Sequence, residues 1–195
     1  MPKHRHFILH KPLGYLSQFV NHQNRRRNKK LLGELHDFPE GTMAIGRLDQ
    51  DSEGLLLLTT DGKVSERVRR KTVEKEYYAQ VDGVITPEAV AQLRAGVAIH
   101  TRSEVYTTRP GQARRLDPAP PVAPRSKPIR DERHGPTSWV SITVTEGKFR
   151  QVRKMTAAVG FPTLRLIRVR IGGITLGTLL PGDVSEATDL LPAMK

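Results

Sequence analysis

The fold is decided by one stretch of sequence, Gly46-Arg47-Leu48-Asp49-Gln50-Asp51-Ser52-Glu53-Gly54, which runs directly into Leu55-Leu56-Leu57-Leu58-Thr59-Thr60. A short, unbroken apolar run bounded by turn residues is typical of a strand that is buried in a sheet. The sequence predicts two strands at the centre of such a sheet, over residues 42–48 and 55–60. Asp49 then lies at the end of the first strand, at the rim of the sheet, where its surroundings can control its position and ionisation.

Composition indicates a globular protein with a polyanionic partner. The chain has 195 residues, of which 37% are hydrophobic, and this is enough for a substantial core. We expect a single domain over residues 1–195, with two closely packed subdomains as the alternative. The formal net charge is +12, and the arginines and lysines occur in clusters. A surplus of this size favours a nucleic acid as the partner.

Several classes of protein are disfavoured by what the sequence does not contain. There is no cysteine, which excludes disulfides, thiolate catalysis and zinc ribbons. No apolar stretch has the length of a membrane span and no apolar segment follows the basic N-terminus, so we expect a cytoplasmic protein that does not bind membranes. The alternating His4, His6 and His10 lie in a terminus that is a poor scaffold for a metal, and residues 172–177 match no nucleotide-binding loop.

The rest of the chain predicts strands and helices in irregular order. Because strands do not alternate regularly with crossover helices, the pattern favours an α+β fold with a mixed, mostly antiparallel central sheet flanked by helices and loops. Residues 109–136 are rich in proline, which indicates a long surface loop. Strands are predicted over 7–10, 76–81, 97–99, 137–145 and 163–171, and helices over 31–36, 62–70, 87–94 and 149–159.

Asp49 is the first candidate for chemistry. Arg47 lies two positions before it, so both side chains project from one face if the segment is extended. A neighbouring cation keeps a partly buried carboxylate ionised, and an ionised aspartate can attack a sugar carbon or accept a proton. On spacing alone, an aspartate that closes a turn is the more common case.

Two basic groups are candidates for contacts with nucleic acid. Arg150, Arg153 and Lys154 share one face of the predicted helix, where they either contact phosphates or form a solvated basic face. An arginine turned inward there has the fork geometry to pair with a carboxylate. The second group lies at residues 25–30, in a run without apolar periodicity that indicates a mobile loop.

A pair of tyrosines completes the set of candidates. Tyr77 and Tyr78 are adjacent on a predicted strand, so their side chains point to opposite faces. One of them is expected in the core, and the other can stack on a base or take part in proton transfer.

Five motifs occur in chain order: His10-Lys11-Pro12-Leu13-Gly14, Gly46-Arg47-Leu48-Asp49, Lys75-Glu76-Tyr77, residues 146–155 and Leu166-Ile167-Arg168. Together they resemble the motifs of RNA pseudouridine synthases. The match is closest to the RsuA family, which modifies ribosomal RNA, and within it to a member that lacks an S4 RNA-binding domain and acts on 23S rRNA. The resemblance implies the pseudouridine synthase fold with a catalytic cleft, and the isomerisation of one uridine in 23S rRNA.

The resemblance also implies roles for individual residues. Asp49 is the nucleophile, or the base that takes a proton from the ribose. Arg153 pairs with Asp49 and keeps it ionised, while Tyr77 stacks on the uracil and helps to remove the C5 proton. The isomerisation gains and loses no atoms, so we expect no cofactor and no metal. Contacts with the RNA are expected of a set of basic side chains: Arg47, Lys11, Arg150, Lys154, Arg168, Arg25, Arg26 and Arg27.

The expected partner is 23S rRNA or a precursor ribosomal particle, bound by a monomer. The motif with Lys11 lies almost at the start of the chain, so no N-terminal S4 domain is expected. Residues 25–30 and the loop at 109–133 are candidates to grip flanking phosphates in its place. Two alternatives stay open: a non-catalytic rRNA-binding protein for ribosome assembly on the same fold, and a metal-dependent nuclease. The second is disfavoured because only Asp51 and Glu53 accompany Asp49.

Overall fold

The computed structural model describes residues 4–20, 29–70 and 72–194, and the chain forms two compact units. The first unit consists of Met1–Val73 and Arg168–Lys195, and the second of Glu74–Ile167. In chain order the described strands are β1 (His6–Lys11), β2 (Met43–Ala44), β3 (Glu53–Thr59), β4 (Lys75–Asp82), β5 (Ala98–His100), β6 (Val105–Thr107), β7 (Gln112–Leu116), β8 (Thr137–Val144), β9 (Thr163–Ile171), β10 (Ile174–Thr175) and β11 (Val184–Ala187). The described α-helices are α1 (Gly62–Val68), α2 (Pro87–Ala95) and α3 (Gln151–Ala158), and short 3-10 helices cover Leu32–Glu34, Glu132–His134 and Leu191–Met194.

The first unit is built around β3, in which every residue is buried. β1 lies antiparallel between β11 and β3, and β2 also pairs with β3. Leu55 and Leu57 of β3 share one hydrophobic cluster with Val64 and Val68 of α1. Burying each leucine contributes roughly 1.5–3 kcal/mol, so the four-leucine run has the central place in this core that the sequence predicts.

The strand predicted over residues 42–48 exists only as the two residues of β2. Gly46 has a φ of +73°, a left-handed conformation that breaks an extended strand. The backbone of Leu48 is then satisfied by a side chain: its N–H donates to the Ser17 hydroxyl at 2.9 Å, and its C=O accepts from the same hydroxyl at 2.8 Å. The prediction is therefore wrong for residues 42 and 45–48, and Asp49 follows an irregular segment instead of a strand.

The second unit contains an antiparallel sheet in the order β4-β8-β7 and a separate β5–β6 hairpin. Ile142 of β8 lies at its centre, opposite Tyr77 of β4 and Ala113 of β7. Helix α2 packs against β7, and α3 packs against β5. One hydrophobic cluster joins these elements, and Ile142, Leu93 of α2 and Met155 of α3 are buried in it. The structure confirms the predicted α+β class with its mostly antiparallel strands.

Strand β7 corrects the prediction that residues 109–136 form only a loop. Its five residues pair antiparallel with β8. Pro110 and Pro118 flank the strand, but no proline lies within it. It is also the last strand in the order β4-β8-β7, and a strand bounded by prolines is tolerated at such an edge.

Helix α3 begins at Gln151, two residues after the predicted start. Arg150, its N-cap, has a φ of +53° and lies in the left-handed region, so it cannot continue a right-handed helix. The helical spacing predicted between Arg150 and the pair Arg153 and Lys154 is therefore wrong. The sequence predicts a buried face of Val152, Met155, Thr156 and Val159; the first three are buried, and Val159 is partly buried.

Helices α1 and α2 begin where the sequence signals predict, but α1 ends at Val68, two residues before its predicted end, and α2 ends one residue beyond its predicted end. The helix predicted over 31–36 is present only as the 3-10 helix Leu32–Glu34. The side chain of Asp61 caps α1 by accepting from the N–H of Lys63 at 2.8 Å, and the side chain of Thr86 caps α2 by accepting from the N–H of Ala89 at 3.2 Å. Gly96 ends α2 with a φ of +96°, and a Cβ at this position would collide with the carbonyl oxygen of Thr108. The predicted strands over 7–10, 76–81, 97–99, 137–145 and 163–171 are confirmed as β1, β4, β5, β8 and β9. The short strands β6, β10 and β11 are not predicted.

Candidate active site

The loop that carries Asp49 is fixed by hydrogen bonds to the turn that follows β1. Ser17 pairs with Leu48, as described above, and the N–H of Gly14 donates to the carbonyl of Gln50 at 2.8 Å. A second hydrogen bond joins the same two residues, because Nε2 of the Gln50 side chain donates to the carbonyl of Gly14 at 3.1 Å. The chain is therefore anchored immediately before and immediately after Asp49.

Asp49 itself closes the turn that leads into β3. Its carbonyl accepts from the N–H of Ser52 at 3.0 Å. The Asp49 side chain is half-buried, Leu48 beside it is buried, and Arg47 is exposed. Arg47 and Asp49 thus differ in burial, and they do not lie on the extended strand that the sequence predicts. The turn-closing role that spacing alone favours for Asp49 is present, in a loop with a fixed backbone.

Lys11, at the end of β1, is completely buried. Its ammonium group donates to the carbonyls of Pro12 at 3.0 Å and Tyr15 at 2.8 Å. Burial lowers the pKa of Lys11 from 10.5 to about 8, although the carboxylates at positions 53, 51 and 49 act in the opposite direction. This burial does not fit the predicted contact between Lys11 and RNA. The ammonium instead holds the turn that anchors the Asp49 loop.

Arg168 of β9 is a second buried cation in the first unit. Its Nε donates to the carbonyl of Leu55 in β3 at 2.8 Å, and its Nη2 is buried without a hydrogen-bond partner among the described residues. The positive charge of Arg168 adds to burial in lowering the pKa of Lys11. With only 4% of its surface exposed, Arg168 also lacks the accessible surface that the predicted RNA contact requires.

Tyr77 of β4 and Arg153 of α3 are half-buried side chains of the second unit. Tyr77 packs against the hydrophobic cluster around Ile142. Arg153 donates from Nη1 to the carbonyl of Thr163 at 3.4 Å, at the start of β9. Each side chain therefore contacts the second unit on one side and leaves part of its surface accessible to solvent.

Glu146, which the predicted site does not include, is the centre of a buried hydrogen-bond network in the second unit. Its Oε2 accepts from the hydroxyl of Tyr106 at 2.5 Å. Its Oε1 accepts from the N–H of Arg109 at 2.8 Å and from Nε2 of Gln151 at 2.9 Å. Burial by itself would raise the pKa of this carboxyl, but the three hydrogen bonds hold the pKa below its ordinary value. The signal in the sequence is an acidic residue inside the block that carries Arg153.

The turn between Glu146 and α3 presents basic side chains. It is closed by two hydrogen bonds, from the N–H of Lys148 to Oε1 of Gln151 at 2.9 Å and from the N–H of Gln151 to the carbonyl of Lys148 at 3.1 Å. The left-handed conformation of Arg150, uncommon for a residue other than glycine, lies in the same turn. Lys148 is exposed, whereas Arg150 and Lys154 are half-buried.

The predicted site residues divide between the two units. Within the first unit, buried cations accompany the loop of Asp49; within the second, α3 and the turn before it carry the basic group. The first unit holds Asp49, Arg47, Lys11 and Arg168, and the second holds Tyr77, Arg150, Arg153 and Lys154. Arg25, Arg26 and Arg27 lie outside the described residues.

The histidines near the N-terminus bond to protein groups. Nδ1 of His6 pairs with the Thr59 hydroxyl at 2.9 Å, and Nδ1 of His10 pairs with the carbonyl of Leu179 at 2.7 Å. Within residues 4–20, 29–70 and 72–194, no group of three or more histidine, aspartate or glutamate side chains could hold a metal ion. In the same ranges, every helix is too short or too polar to cross a membrane.

Known proteins match this chain over nearly its whole length. The RNA pseudouridylate synthase family model matches residues 5–158. Ribosomal large subunit pseudouridine synthase E of Xanthomonas axonopodis pv. citri (strain 306) is 46% identical over 184 residues, which cover 93% of each chain. The protein of the same name from Vibrio parahaemolyticus serotype O3:K6 is 40% identical over 92% of this chain and 72% of its own.

A solved structure shows the same fold. A crystal structure of a pseudouridylate synthase matches with a TM-score of 0.75 and 26% identity, covering 96% of this chain and 71% of that chain. The fold and the family resemblance predicted from the sequence are thereby confirmed. By its family match and by its identity to these relatives over nearly its whole length, the chain belongs to the RNA pseudouridylate synthase family and is an isomerase of that family.

Proposed function

We propose that this enzyme isomerises a specific uridine of large-subunit (23S) ribosomal RNA to pseudouridine. The observation that carries the proposal is the 46% identity over 93% of the chain to a ribosomal large subunit pseudouridine synthase E. The net charge of +12 supports a polyanionic substrate. The proposal includes a monomer that acts in the cytoplasm, on the rRNA or on a precursor ribosomal particle.

In the proposed reaction, the bond between N1 of uracil and C1′ of the ribose breaks, the base turns, and C5 bonds to C1′. The proton that leaves C5 goes to solvent, and N1 takes up a proton, so the atoms balance without a further reactant. Asp49 either attacks C1′ or takes a proton from the ribose. The target uridine leaves its stack to reach the carboxylate. The anchored loop supports this role because it fixes the backbone on both sides of Asp49.

We assign Lys11 and Arg168 positioning roles in place of the predicted RNA contacts. Lys11 is completely buried, and its ammonium bonds to two carbonyls of the turn that anchors the Asp49 loop. Arg168 bonds to Leu55, at the beginning of the strand that follows this loop. In this assignment both cations shape the surroundings of Asp49 without touching the substrate.

The roles of Tyr77 and Arg153 stay predictions from the family resemblance. In these roles, Tyr77 stacks on the uracil and Arg153 keeps Asp49 ionised. The half-burial of both side chains supports them, because each is held by its unit and yet accessible. The Glu146 network supports the role of Arg153 further, since Glu146 bonds to Gln151 at the start of the helix that carries Arg153.

The test of Asp49 is tritium release from rRNA labelled at C5 of uridine. Asp49→Asn keeps the size of the side chain and removes its charge, so we expect release to fall by roughly 10⁴-fold or more, as for the loss of other catalytic nucleophiles. Asp51→Asn, an exposed carboxylate in the same loop, is the matched control and should stay within about twofold of the wild type.

Two results would contradict the proposal. Full tritium release by Asp49→Asn would reject the role of Asp49. A wild-type protein that binds rRNA but releases no tritium would instead establish the non-catalytic, ribosome-assembly alternative.

A further inference from the structure

Phe149 is an aromatic side chain that the second unit leaves in solvent. It is 62% exposed, and among the large exposed apolar side chains of the described residues it is the only aromatic one. It lies in the turn before α3, next to Arg150. A single exposed apolar residue needs no explanation by itself, so the groups around the ring decide what it can do.

Two cations lie over the Phe149 ring. The guanidinium carbon of Arg102 is 5.7 Å from the ring centroid, and the ammonium of Lys154 is 5.6 Å from it. A second aromatic ring also has a cation over it: the ammonium of Lys148, the residue before Phe149, is 4.2 Å from the ring centroid of Tyr106. Two aromatic rings and three cations therefore occur together where the β5–β6 hairpin meets the turn before α3.

The scaffold under this surface is closely packed and hydrogen-bonded. The hairpin and α3 pack together through Ile99, Val152 and Met155, all of which are buried in one hydrophobic cluster. The Tyr106 hydroxyl and the turn before α3 are both tied to Glu146. The exposed ring and its cations are thus presented by a fixed backbone, as a preformed binding surface requires.

Phe149 lies outside the hydrophobic core of the described part of the second unit. It belongs neither to the buried residues of the cluster nor to the partly buried residues packed against it. In a hydrophobic staple, the residue before the N-cap packs against an apolar residue at the fourth helical position, but here that position holds Lys154. The ring contributes to neither the core nor an apolar cap.

We propose that Phe149, flanked by Arg102 and Lys154, stacks on an unpaired base of the RNA substrate. An aromatic face binds the face of any base, and adjacent cations contact the phosphates that accompany it. The base belongs to a nucleotide other than the target uridine, for which Tyr77 supplies the stacking ring under the proposed function. This inference rests on the proposed RNA substrate and adds a second contact point for it.

The test separates stacking from apolar burial at position 149. Phe149→Leu keeps an apolar side chain and removes the aromatic face, whereas Phe149→Trp keeps the face. For Phe149→Leu we expect the KM in tritium release, and the Kd for rRNA fragments measured by fluorescence anisotropy, to rise between about 5- and 100-fold with little change in kcat. Phe149→Trp should bind as the wild type does. Leu180→Ala, which removes an equally exposed apolar side chain from the first unit, is the control.

An abasic scan identifies the stacked nucleotide. Removing one base near the target uridine should weaken binding to the wild type but not weaken binding to Phe149→Leu any further. Two outcomes overturn the inference: an unchanged KM and Kd for Phe149→Leu, or a loss that is seen only with ribosomal particles, which would identify a protein partner. A failure of the proposed function gives a different result: the wild type would then release no tritium, even if the differences in anisotropy between the variants were observed.

Discussion

Lys11 is unusual at the residue scale because the side chain of a lysine is rarely fully buried. Its ammonium group is held by two backbone carbonyls, those of Pro12 and Tyr15. Burial lowers its pKa to about 8, so most of the group is still charged at neutral pH. The folded protein therefore bears the free-energy cost of a buried charge. The hydrogen bonds of that charge shape the turn beside Asp49.

The first prediction concerns the pH dependence of this cost. The folded pKa of about 8 lies below the ordinary 10.5, so below pH 8 both states are charged and the folded state bears the full cost. Between pH 8 and 10.5 the folded state loses its proton first, and stability rises with pH. We therefore expect the wild type to gain stability relative to Lys11→Met across this window, by up to about 3 kcal/mol.

Urea unfolding at several pH values in this window measures the difference. Lys63→Met, at an exposed position of α1, is the control and should follow the wild type. A difference between the wild type and Lys11→Met that stays constant with pH would show that Lys11 does not titrate as its burial requires.

At the scale of elements, α3 is positioned by the turn before it. The turn is closed through Gln151, whose side chain also donates to Glu146, and Glu146 bonds in addition to Tyr106 and Arg109. A single carboxylate thus joins the start of α3 to the segment that follows β5. The orientation of Arg153 depends on this network, because α3 carries it.

We predict that Glu146→Gln destabilises the protein and lowers tritium release. The amide would turn an NH₂ group toward donors that now meet a carboxylate oxygen, which costs about 1–3 kcal/mol. The folded pKa of Glu146 is lowered, so its stabilisation is present above the unfolded pKa and is lost as the pH falls through the folded pKa. The stability gap between wild type and variant should therefore narrow below about pH 4.5.

Urea unfolding at pH 7 and at acidic pH tests this, with Glu104→Gln, at an exposed carboxylate between β5 and β6, as the control. Equal stability of Glu146→Gln and Glu104→Gln at pH 7 would refute the central role of Glu146.

The elements that the sequence predicts well are those with local signals. The leucine run identifies β3, and the pair Thr86-Pro87 with Gly96 bounds α2. The irregular path before Asp49 could not be predicted, because it depends on Ser17, which lies 31 positions away from Leu48. The left-handed Arg150 likewise depends on the closed turn around it. Within the site, the family motifs identify Asp49, but the burial of Lys11 and Arg168 follows only from tertiary packing.

At the scale of the whole molecule, the positive charge is available to RNA in both units. Exposed cations include Lys30 in the first unit and Arg102 and Lys148 in the second. Each phosphate contact releases counterions, so affinity for RNA should fall steeply as salt concentration rises. The slope of that dependence reports how many cations contact the RNA.

The arginines at 25–27 are predicted to account for part of this slope. Replacing all three by alanine should make the plot of log affinity against log salt concentration shallower by about 2, if each contacts one phosphate. Replacing the three exposed arginines at 67, 69 and 70 makes the same change in net charge and is the control. Equal slopes for the two triple variants would contradict a specific contact at 25–27, and fluorescence anisotropy with rRNA fragments measures both.

The hydrogen bonds from Ser17, Gly14 and Gln50 have an energetic consequence for catalysis. They order the loop of Asp49 before any RNA arrives, so that binding does not have to supply the entropy of ordering it. Extruding a base from its stack costs a few kcal/mol. If Asp49 acts as proposed, the free energy of the RNA contacts remains available for that extrusion, and preorganisation of the loop contributes directly to turnover.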